Sequence, residues 1–254
     1  GIADIIILQG DRALTIDYKT GKKSQYADLK QLEVVSLAIF KHFPQVKKVK
    51  AGLMFLFADD FIKAGLDSEM SLLKNMNVNV IRQYTGVPAK WIKYIYENYG
   101  IYTMLNHSFG RYGLTLDGTW VAVTDYANPR TQKELLTEID KLVKEYNNTP
   151  GLLMYLLGNE NNYGLFWAGA ETEDFPDDEE ERAFVGEKRG RPMYRLMNEA
   201  ANNIKAIDSS HPVAICNGDV LFIDIIAEEC KDVDIYGVNM YRGVSFGDAF
   251  QVVK

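Results

Sequence analysis

The chain has 254 residues, of which 47% are hydrophobic and 25% are charged, and its formal net charge is −7 at pH 7. This length accommodates one large or two modest domains, and the composition is that of an ordinary globular chain. No apolar run is long enough to span a bilayer and no secretory leader is recognisable, so we expect no membrane partner and favour a cytoplasmic location. Two cysteines and three scattered histidines exclude a zinc-binding pattern.

The first 65 residues predict an αβ segment that begins with an antiparallel hairpin. In chain order we expect a strand over 2–8, a turn over 9–12, a strand over 13–19, a helix over 28–43 and a strand over 49–57. A four-residue connection joins only antiparallel neighbours, so this segment is not a barrel repeat. Its ten Lys and Arg against seven Asp and Glu contrast with 18 against 28 in residues 66–254, which suggests a boundary near 58–68.

Residues 66–254 repeat one unit, an apolar strand followed by a polar turn and an amphipathic helix. The predicted strands are 78–83, 101–106, 152–158, 213–217 and 235–239, and the predicted helices are 88–99, 131–146, 192–207 and 221–230. Strict alternation of strands and helices requires right-handed crossovers and therefore a parallel sheet. The sequence thus predicts an α/β fold for this larger part.

The most informative motif is the apolar run from Leu152 to Leu157, which is followed directly by Gly158, Asn159 and Glu160. An apolar run of this length is typical of a parallel strand buried on both faces, and it would place the carboxylate at the carboxyl end of that strand. A plainer interpretation is a helix start, with Asn159 or Asn161 as the N-cap and Glu160 in the first turn.

Polar residues follow each of the predicted strands in the same way. They are Arg82, Gln83 and Tyr84; Asn106 and His107; Asn159 and Glu160; Asn217 and Asp219; and Asn239, Tyr241 and Arg242. Because the carboxyl ends of parallel strands share one edge, we expect these side chains to collect on a single face.

The ordered set of strand ends, from Asn79–Arg82 through Gly158–Glu160 to Tyr236–Tyr241, resembles the catalytic barrel of glycoside hydrolase family 2 and its clan. The resemblance implies a (β/α)8 TIM-type barrel, a carbohydrate substrate and no cofactor. It assigns the general acid/base to Glu160 and sugar contacts to Asn159. It also implies that Arg82 orients carboxylates and that Tyr241 lies near the nucleophile. By their positions, the candidates to line the sugar site are His107 and Asn239 at strand ends, Trp167 just after Glu160, and Tyr241.

The retaining mechanism of that family needs a second glutamate as nucleophile at the end of the seventh strand. Glu229 is the last glutamate of this chain and is predicted to lie in a helix, so the nucleophile is not identifiable. Only five barrel strands are recognisable, which predicts a partial or rearranged barrel with an open edge through which oligomers could form. A non-catalytic carbohydrate-binding or structural scaffold is therefore an alternative.

The first segment carries a different resemblance. Asp4, Asp17 with Lys19, and Gln31 on the following helix are similar to the core of PD-(D/E)xK nucleases of the phage type. The resemblance implies that Asp4 and Asp17 bind Mg²⁺ or Mn²⁺, that Lys19 polarises water or phosphate, and that Gln31 positions the lysine or the nucleic acid. A plain solvated hairpin explains the same residues.

The sequence as a whole thus predicts a nuclease-like αβ segment over 1–65 and a glycosidase-type barrel segment over 66–254. Three functions follow: glycoside hydrolysis through Glu160, metal-dependent phosphodiester cleavage through Asp4, Asp17 and Lys19, and a non-catalytic scaffold. Nucleic acid is a partner only under the second hypothesis. Because both resemblances are truncated, the chain could be a chimeric join of two unrelated pieces.

Overall fold

The computed structural model of the protein describes residues 5–19, 30–55, 59–166 and 178–254. The chain divides into two units, Gly1–Met76 and Asn77–Lys254. A helix, Asp59–Asn75, runs through the range where a boundary was expected, so the point between residues 65 and 66 lies inside a helix. Gly65 in its middle weakens the helical pattern of the sequence, since glycine is a poor helix former.

The first unit is a three-stranded sheet with two helices. Its elements are β1 (Ile5–Gln9), β2 (Arg12–Lys19), α1 (Lys30–His42), β3 (Lys48–Phe55) and α2 (Asp59–Asn75). A tight turn at Gly10, with φ of 59°, makes β1 and β2 antiparallel, and this confirms the predicted hairpin. Strand β3 returns parallel to β2 after α1. A small core of Ala13, Val35, Ile39 and Val46 joins helix to sheet.

The second unit carries most of the regular structure. Its elements are β4 (Val80–Tyr84), α3 (Ala89–Tyr99), β5 (Tyr102–His107), β6 (Leu114–Leu116), β7 (Thr119–Val121), α4 (Pro129–Tyr146), β8 (Leu152–Leu157), α5 (Asn161–Gly164), α6 (Glu179–Val185), a π-helical turn (Gly186–Gly190), α7 (Arg191–Ile207), β9 (Val213–Gly218), α8 (Ile223–Glu229), β10 (Ile235–Asn239) and α9 (Ala249–Val253). Of the helices that the structure describes in either unit, none has both the length and the apolar character needed to cross a membrane.

Five strands of this unit form one parallel sheet in the order β10-β9-β8-β5-β4. The predicted alternation of strands and helices is therefore confirmed, and the five predicted strands differ from the observed ones by two residues at most. Across the residues that the structure describes, the sheet ends at β4 and β10 and does not close into a barrel.

The two faces of this sheet are covered differently. Helices α3, α4, α7 and α8 bury one face in a large core, whose side chains include Leu105, Leu135, Leu157, Met193 and Ile215. The opposite face carries a small cluster of Leu156, Ala214 and Cys216 with Met154 packed against it. Because side chains alternate along a strand, Arg82, Asn106 and Cys216 also point to this second face.

Caps fix the ends of the helices that lead into the sheet. Asn128 caps α4, since its side chain accepts a hydrogen bond from the Arg130 backbone N–H at 2.9 Å. Gly100 ends α3 in a left-handed conformation, with φ of 69°, and its N–H donates to the Tyr96 carbonyl. Asn128 therefore fixes the start of α4, and Gly100 fixes the end of α3 just before β5.

A short hairpin of β6 and β7 interrupts the connection between β5 and α4. Its turn residues Asp117 and Gly118 have φ of 49° and 79°, as a two-residue type I′ turn requires. The sequence signal for such a hairpin is an Asp-Gly pair between two short strands, here Leu114–Leu116 and Thr119–Val121. The predicted elements did not include this hairpin.

Candidate functional site

Side chains from four strands meet at the carboxyl edge of the five-stranded sheet. They are Arg82 from β4, Asn106 from β5, Asn159 after β8, and Asn239 from β10. The paired register explains the meeting, because Tyr84 lies beside Asn106 and Asn239 beside Gly218 at the same end of the sheet. This is the edge at which parallel α/β folds place their functional groups.

Arg82 organises one side of this cluster. Its Nε donates to Asn106 Oδ1 at 2.7 Å, and its Nη2 donates to Asn159 Oδ1 at 2.6 Å. The buried Asn106 amide in turn donates to the carbonyls of Leu156 and Gly158. Arg82 was expected to orient carboxylates, whereas the structure shows that it orients amide oxygens.

Glu160 occupies the other side. Asn239 Nδ2 donates to Glu160 Oε1 at 2.8 Å and lies 3.3 Å from Asn159 Oδ1. The backbone N–H of Glu160 donates to the Cys216 carbonyl at 2.8 Å, which ties the residue to β9. The carboxylate is thus fixed between two strands by partners that are themselves hydrogen-bonded.

The backbone of Glu160 is strained. Its φ of 55° and ψ of 38° lie in the left-handed region, which costs a non-glycine residue about 1–2 kcal/mol. The residue precedes the short helix α5, but its side chain makes no cap hydrogen bond. The plainer interpretation, with Asn159 or Asn161 as N-cap and Glu160 in the first turn, is therefore right that a helix begins here but wrong in its positions, because Glu160 itself stands at the N-cap position. Strain of this kind is concentrated at functional sites.

Buried asparagines after Glu160 hold the loop in place. Asn161 Oδ1 accepts from the Asn159 N–H at 2.8 Å, and its amide donates to the Phe109 carbonyl at 2.9 Å. Gly158 has φ of 78°, and a Cβ there would come within 2.6 Å of Asn161 Oδ1. The Gly-Asn-Glu motif therefore needs its glycine for both backbone conformation and space.

Cys216 lies beneath the cluster. Its Sγ is 3.3 Å from Asn239 Oδ1 and 3.7 Å from Arg82 Nη1. Burial raises the pKa of this thiol, although the Arg82 charge opposes the shift. Cys216 therefore remains a neutral thiol that packs the floor of the site.

Asp219, which follows β9, is bound by Arg242. Arg242 Nε donates to Asp219 Oδ2 at 3.1 Å and its Nη2 contacts Oδ1, and Arg242 also donates to Asp248 at 3.1 Å. The hydrogen bonds from Arg242 hold the pKa of Asp219 below its usual value. Because both Asp219 oxygens are engaged by the guanidinium, this carboxylate is held as a structural partner of Arg242.

One residue expected in the sugar site, His107, points away from it, and a second, Tyr241, is exposed at the surface. His107 Nδ1 accepts from the Phe109 N–H at 3.1 Å, and its Nε2 is 3.3 Å from Glu138 Oε2 on α4. His107 follows Asn106 by one position, so strand alternation turns its side chain toward the helices. Tyr241 is 87% exposed, because it lies beyond the end of β10 in a loop.

The aromatic residues after Glu160 pack mainly into the core. Phe166 stacks on Phe222, with ring centroids 6.2 Å apart, and Tyr163 lies so close to Gly218 that a Cβ there would be 2.3 Å from its ring. Burial raises the pKa of Tyr163, as do the nearby Asp219 and Glu160 carboxylates. Trp167 lies outside the described residues.

Residues of the nuclease-like pattern cannot be assembled into a site. Asp4 lies outside the described residues, as do the side chains of Asp17, Lys19 and Gln31, whose backbones belong to β2 and α1. In the part of the chain that the structure describes, no three His, Cys, Asp or Glu residues form a metal-binding group. The Mg²⁺ or Mn²⁺ site stays a sequence prediction.

Two further tyrosines, Tyr84 and Tyr112, belong to the site, although the sequence did not assign them to it. Asn159 Nδ2 donates to the Tyr112 hydroxyl at 3.3 Å, and Tyr112 hydrogen-bonds Tyr84 through their side chains. Tyr84 was noted at a strand end, but Tyr112 follows an irregular loop in which side-chain direction has no period. Only the three-dimensional path of that loop brings Tyr112 beside Asn159.

Comparisons with known proteins concern mainly the fold. No protein-family model matches the chain, and no curated protein matches it in sequence. A β-mannanase from the blue mussel Mytilus edulis aligns with a TM-score of 0.51 at 13% identity, over 74% of this chain and 65% of that one. A β-1,4-D-mannanase from Cryptopygus antarcticus aligns with a TM-score of 0.50 at 10% identity, over 72% and 62%.

A β-glucuronidase from Parabacteroides merdae is 20% identical, with a TM-score of 0.47 over 75% of this chain and 19% of that one. This chain therefore spans between 19% and 65% of the length of the three solved structures. At 13% and 10% identity the likeness to the two mannanases concerns the class of fold alone, a parallel α/β architecture.

Proposed function

We propose that residues 77–254 form a glycosidase-type carbohydrate site with Glu160 as its general acid/base. The five β/α units would correspond to the second through sixth strands of a (β/α)8 barrel, with the site at its carboxyl edge. Two observations on the fold support this: the parallel sheet and its likeness to mannanases. The roles of individual residues rest on geometry and on the sequence motif.

The observation that carries the proposal is the way Glu160 is held. A strained, left-handed backbone presents its carboxyl group at the strand edge, where Asn239 fixes one oxygen at 2.8 Å. A protein gains nothing for stability by holding a glutamate in this conformation, whereas a proton donor needs such fixed geometry. Asn159, bound by Arg82 at 2.6 Å, would present its amide to a sugar hydroxyl.

The chemistry expected of this site follows from its groups. Glycoside cleavage needs a proton donor and a second carboxylate on the other side of the sugar. In the hydrogen-bond cluster of Arg82, Asn106, Asn159 and Asn239, as far as the structure describes it, Glu160 is the only carboxylate. We therefore expect sugar binding to exceed turnover, and hydrolysis by this chain alone to be weak or absent.

The test measures binding and hydrolysis separately. Mannohexaose binding is followed by calorimetry for the parent and for Asn159→Ala, with Asn148→Ala as the matched control in the loop after α4. The proposal predicts that Asn159→Ala raises Kd about tenfold and that Asn148→Ala does not. Absence of binding to mannohexaose, galactohexaose and glucuronate oligosaccharides by the parent would overturn it.

Hydrolysis is measured with para-nitrophenyl β-mannoside, β-galactoside and β-glucuronide. Any turnover should be lost in Glu160→Gln, which keeps the size of the side chain but cannot donate a carboxyl proton. Turnover that survives this substitution would remove Glu160 from the reaction and leave only a binding role for the site.

A further inference from the structure

The pair Tyr84 and Tyr112 lies beside Asn159 with much of its ring surface open to solvent. Tyr84 is 43% exposed and Tyr112 is 48% exposed, although both are joined by hydrogen bonds to the site. Exposed aromatic rings that are fixed in place are unusual for a surface without a ligand, because their burial would be favourable. The other aromatics near Glu160, Tyr163 and Phe166, are occupied by packing.

Each ring is held by a guanidinium. The Arg82 guanidinium carbon lies 5.6 Å from the Tyr84 ring centroid, and that of Arg111 lies 5.3 Å from the Tyr112 ring centroid. Arg82 is itself fixed by Asn106 and Asn159. The rings are therefore preorganised, and a ligand that stacks on them loses little additional side-chain entropy.

The hydroxyl groups of the pair point into their own network. Asn159 Nδ2 donates to the Tyr112 hydroxyl at 3.3 Å, and Tyr112 contributes, after burial, to the raised pKa of Tyr84, so each hydroxyl has a polar neighbour in the protein. What each tyrosine offers a ligand is its ring. A flat ring with satisfied polar ends suits the apolar C–H face of a pyranose, while Asn159 at its edge suits a hydroxyl group.

We propose that Tyr84 and Tyr112 form the platform of a second sugar subsite, so that the site takes an oligosaccharide of at least two units. One unit would lie at Glu160 and Asn159, and the next would stack on the tyrosines. This inference rests on the proposed function, and it adds a ligand class: an oligosaccharide rather than a monosaccharide glycoside. Contiguity through the hydrogen bond between Asn159 and Tyr112 places the two units next to each other.

The experiment compares two probes, mannohexaose and methyl β-mannoside, by calorimetry on the full chain. The parent should bind the hexaose at least about tenfold more tightly than the monosaccharide. Tyr112→Ala and Tyr84→Ala should each reduce the ratio of the two affinities about fivefold or more, whatever the change in methyl β-mannoside binding alone. Tyr112→Phe should keep most of the difference, since the ring remains.

Tyr102→Ala is the matched control, because Tyr102 is an exposed tyrosine at the amino end of β5, packed on Tyr96 with centroids 4.7 Å apart. It should leave both affinities unchanged. Circular dichroism and thermal melting establish that each variant is folded, and Tyr112→Phe provides a test that does not depend on removing the ring.

The outcomes separate the two proposals. If the parent binds both probes equally, or if Tyr112→Ala and Tyr84→Ala keep the gain for the hexaose, the platform is overturned while the site at Glu160 stands. If Tyr112→Phe loses as much as Tyr112→Ala, the hydroxyl rather than the ring is responsible, and stacking is overturned. If the parent binds neither probe nor the other oligosaccharides tested above, the platform fails together with the proposed function.

Discussion

Asn239 and Glu160 lie at the ends of two strands that are not neighbours, yet Asn239 Nδ2 donates to Glu160 Oε1 at 2.8 Å. Strand β9 separates β10 from β8, so this hydrogen bond passes over the end of the intervening strand. Cys216 on β9 lies below it, with Sγ 3.3 Å from Asn239 Oδ1. The position of the carboxylate is therefore determined by three adjacent strands at once.

Replacing Asn239 with aspartate should make the stability of the protein depend on pH, because a second carboxyl group would then lie beside Glu160. Two carboxylates at hydrogen-bond distance cannot both ionise without repulsion, so the pKa of the pair rises. Asn239→Asp should lower Tm relative to the parent above about pH 6 and much less near pH 4, where the pair shares a proton. The measurement is Tm against pH. Asn239→Ala serves as control and should lower Tm equally at both pH values.

A comparison of the stabilities of Glu160→Gly and Glu160→Ala should reveal the backbone strain at this position. Both remove the carboxylate, but only glycine adopts φ of 55° without steric cost. Glu160→Gly should be more stable than Glu160→Ala by about 1 kcal/mol in chemical denaturation. At Lys141, an exposed position inside α4, the order should reverse, with alanine more stable by about 1 kcal/mol. Equal stability of the two variants at position 160 would show that the left-handed conformation is not maintained.

Arg82→Lys tests whether geometry or charge holds the cluster. Lysine keeps the charge but cannot donate to Asn106 and Asn159 at once along the directions of the guanidinium. We expect a loss of about 2 kcal/mol in unfolding free energy and weaker binding of mannohexaose. Arg130→Lys, at an exposed position of α4, is the control and should change neither the unfolding free energy nor the binding of mannohexaose. If Arg82→Lys behaves like the parent, the guanidinium geometry is unimportant.

A buried aspartate at the opposite edge of the sheet should govern acid stability. Asp208 accepts hydrogen bonds from the Tyr155 hydroxyl at 3.0 Å and the Ser210 hydroxyl at 2.6 Å, and lies 2.7 Å from His211 Nδ1. Burial alone would raise the pKa of Asp208, but hydrogen bonds from Ser210 and His211 outweigh it and lower the pKa to about 2.

Because the folded-state pKa lies below the unfolded one, the ionised Asp208 stabilises the fold above about pH 4, and this contribution is lost as the pH falls toward 2. Asp208→Asn should cost about 2 kcal/mol at pH 7 and flatten the decline in stability between pH 4 and 2. Denaturation at several pH values measures this. Asp224→Asn, at an exposed position of α8, is the control and should leave the dependence of stability on pH unchanged. The same unchanged dependence in Asp208→Asn would contradict the role given to Asp208.

The sequence predicted the strands and helices of the second unit well because their periods are strong. Strand β10 was predicted with its observed bounds, and the meeting of Arg82, Asn159 and Asn239 follows from the common edge of parallel strands. Strand alternation would also have predicted the direction of the His107 side chain. His107 follows Asn106 by one position, so it points to the opposite face of the sheet, which the helices cover.

Other features could not be predicted from periodicity. Tyr112 and Tyr241 lie in loops, where neither a period of 2 nor one of 3.6 sets side-chain direction. Helix α2 was missed because Gly65, a poor helix former, lies in its middle. The left-handed backbone of Glu160 is also invisible in sequence, because tertiary contacts rather than local preference impose it.

The groups that contact Glu160 and Asn159 include amides, the guanidinium groups of Arg82 and Arg111, the Tyr112 hydroxyl and, beneath them, a buried thiol. Between about pH 5 and 8 an amide does not titrate and a guanidinium does not lose its proton, and burial keeps the thiol of Cys216 neutral. The hydrogen bonds that join Arg82, Asn106, Asn159 and Asn239 therefore keep the same donors and acceptors across this interval. A change of pH within it would leave this framework around the carboxylate in place.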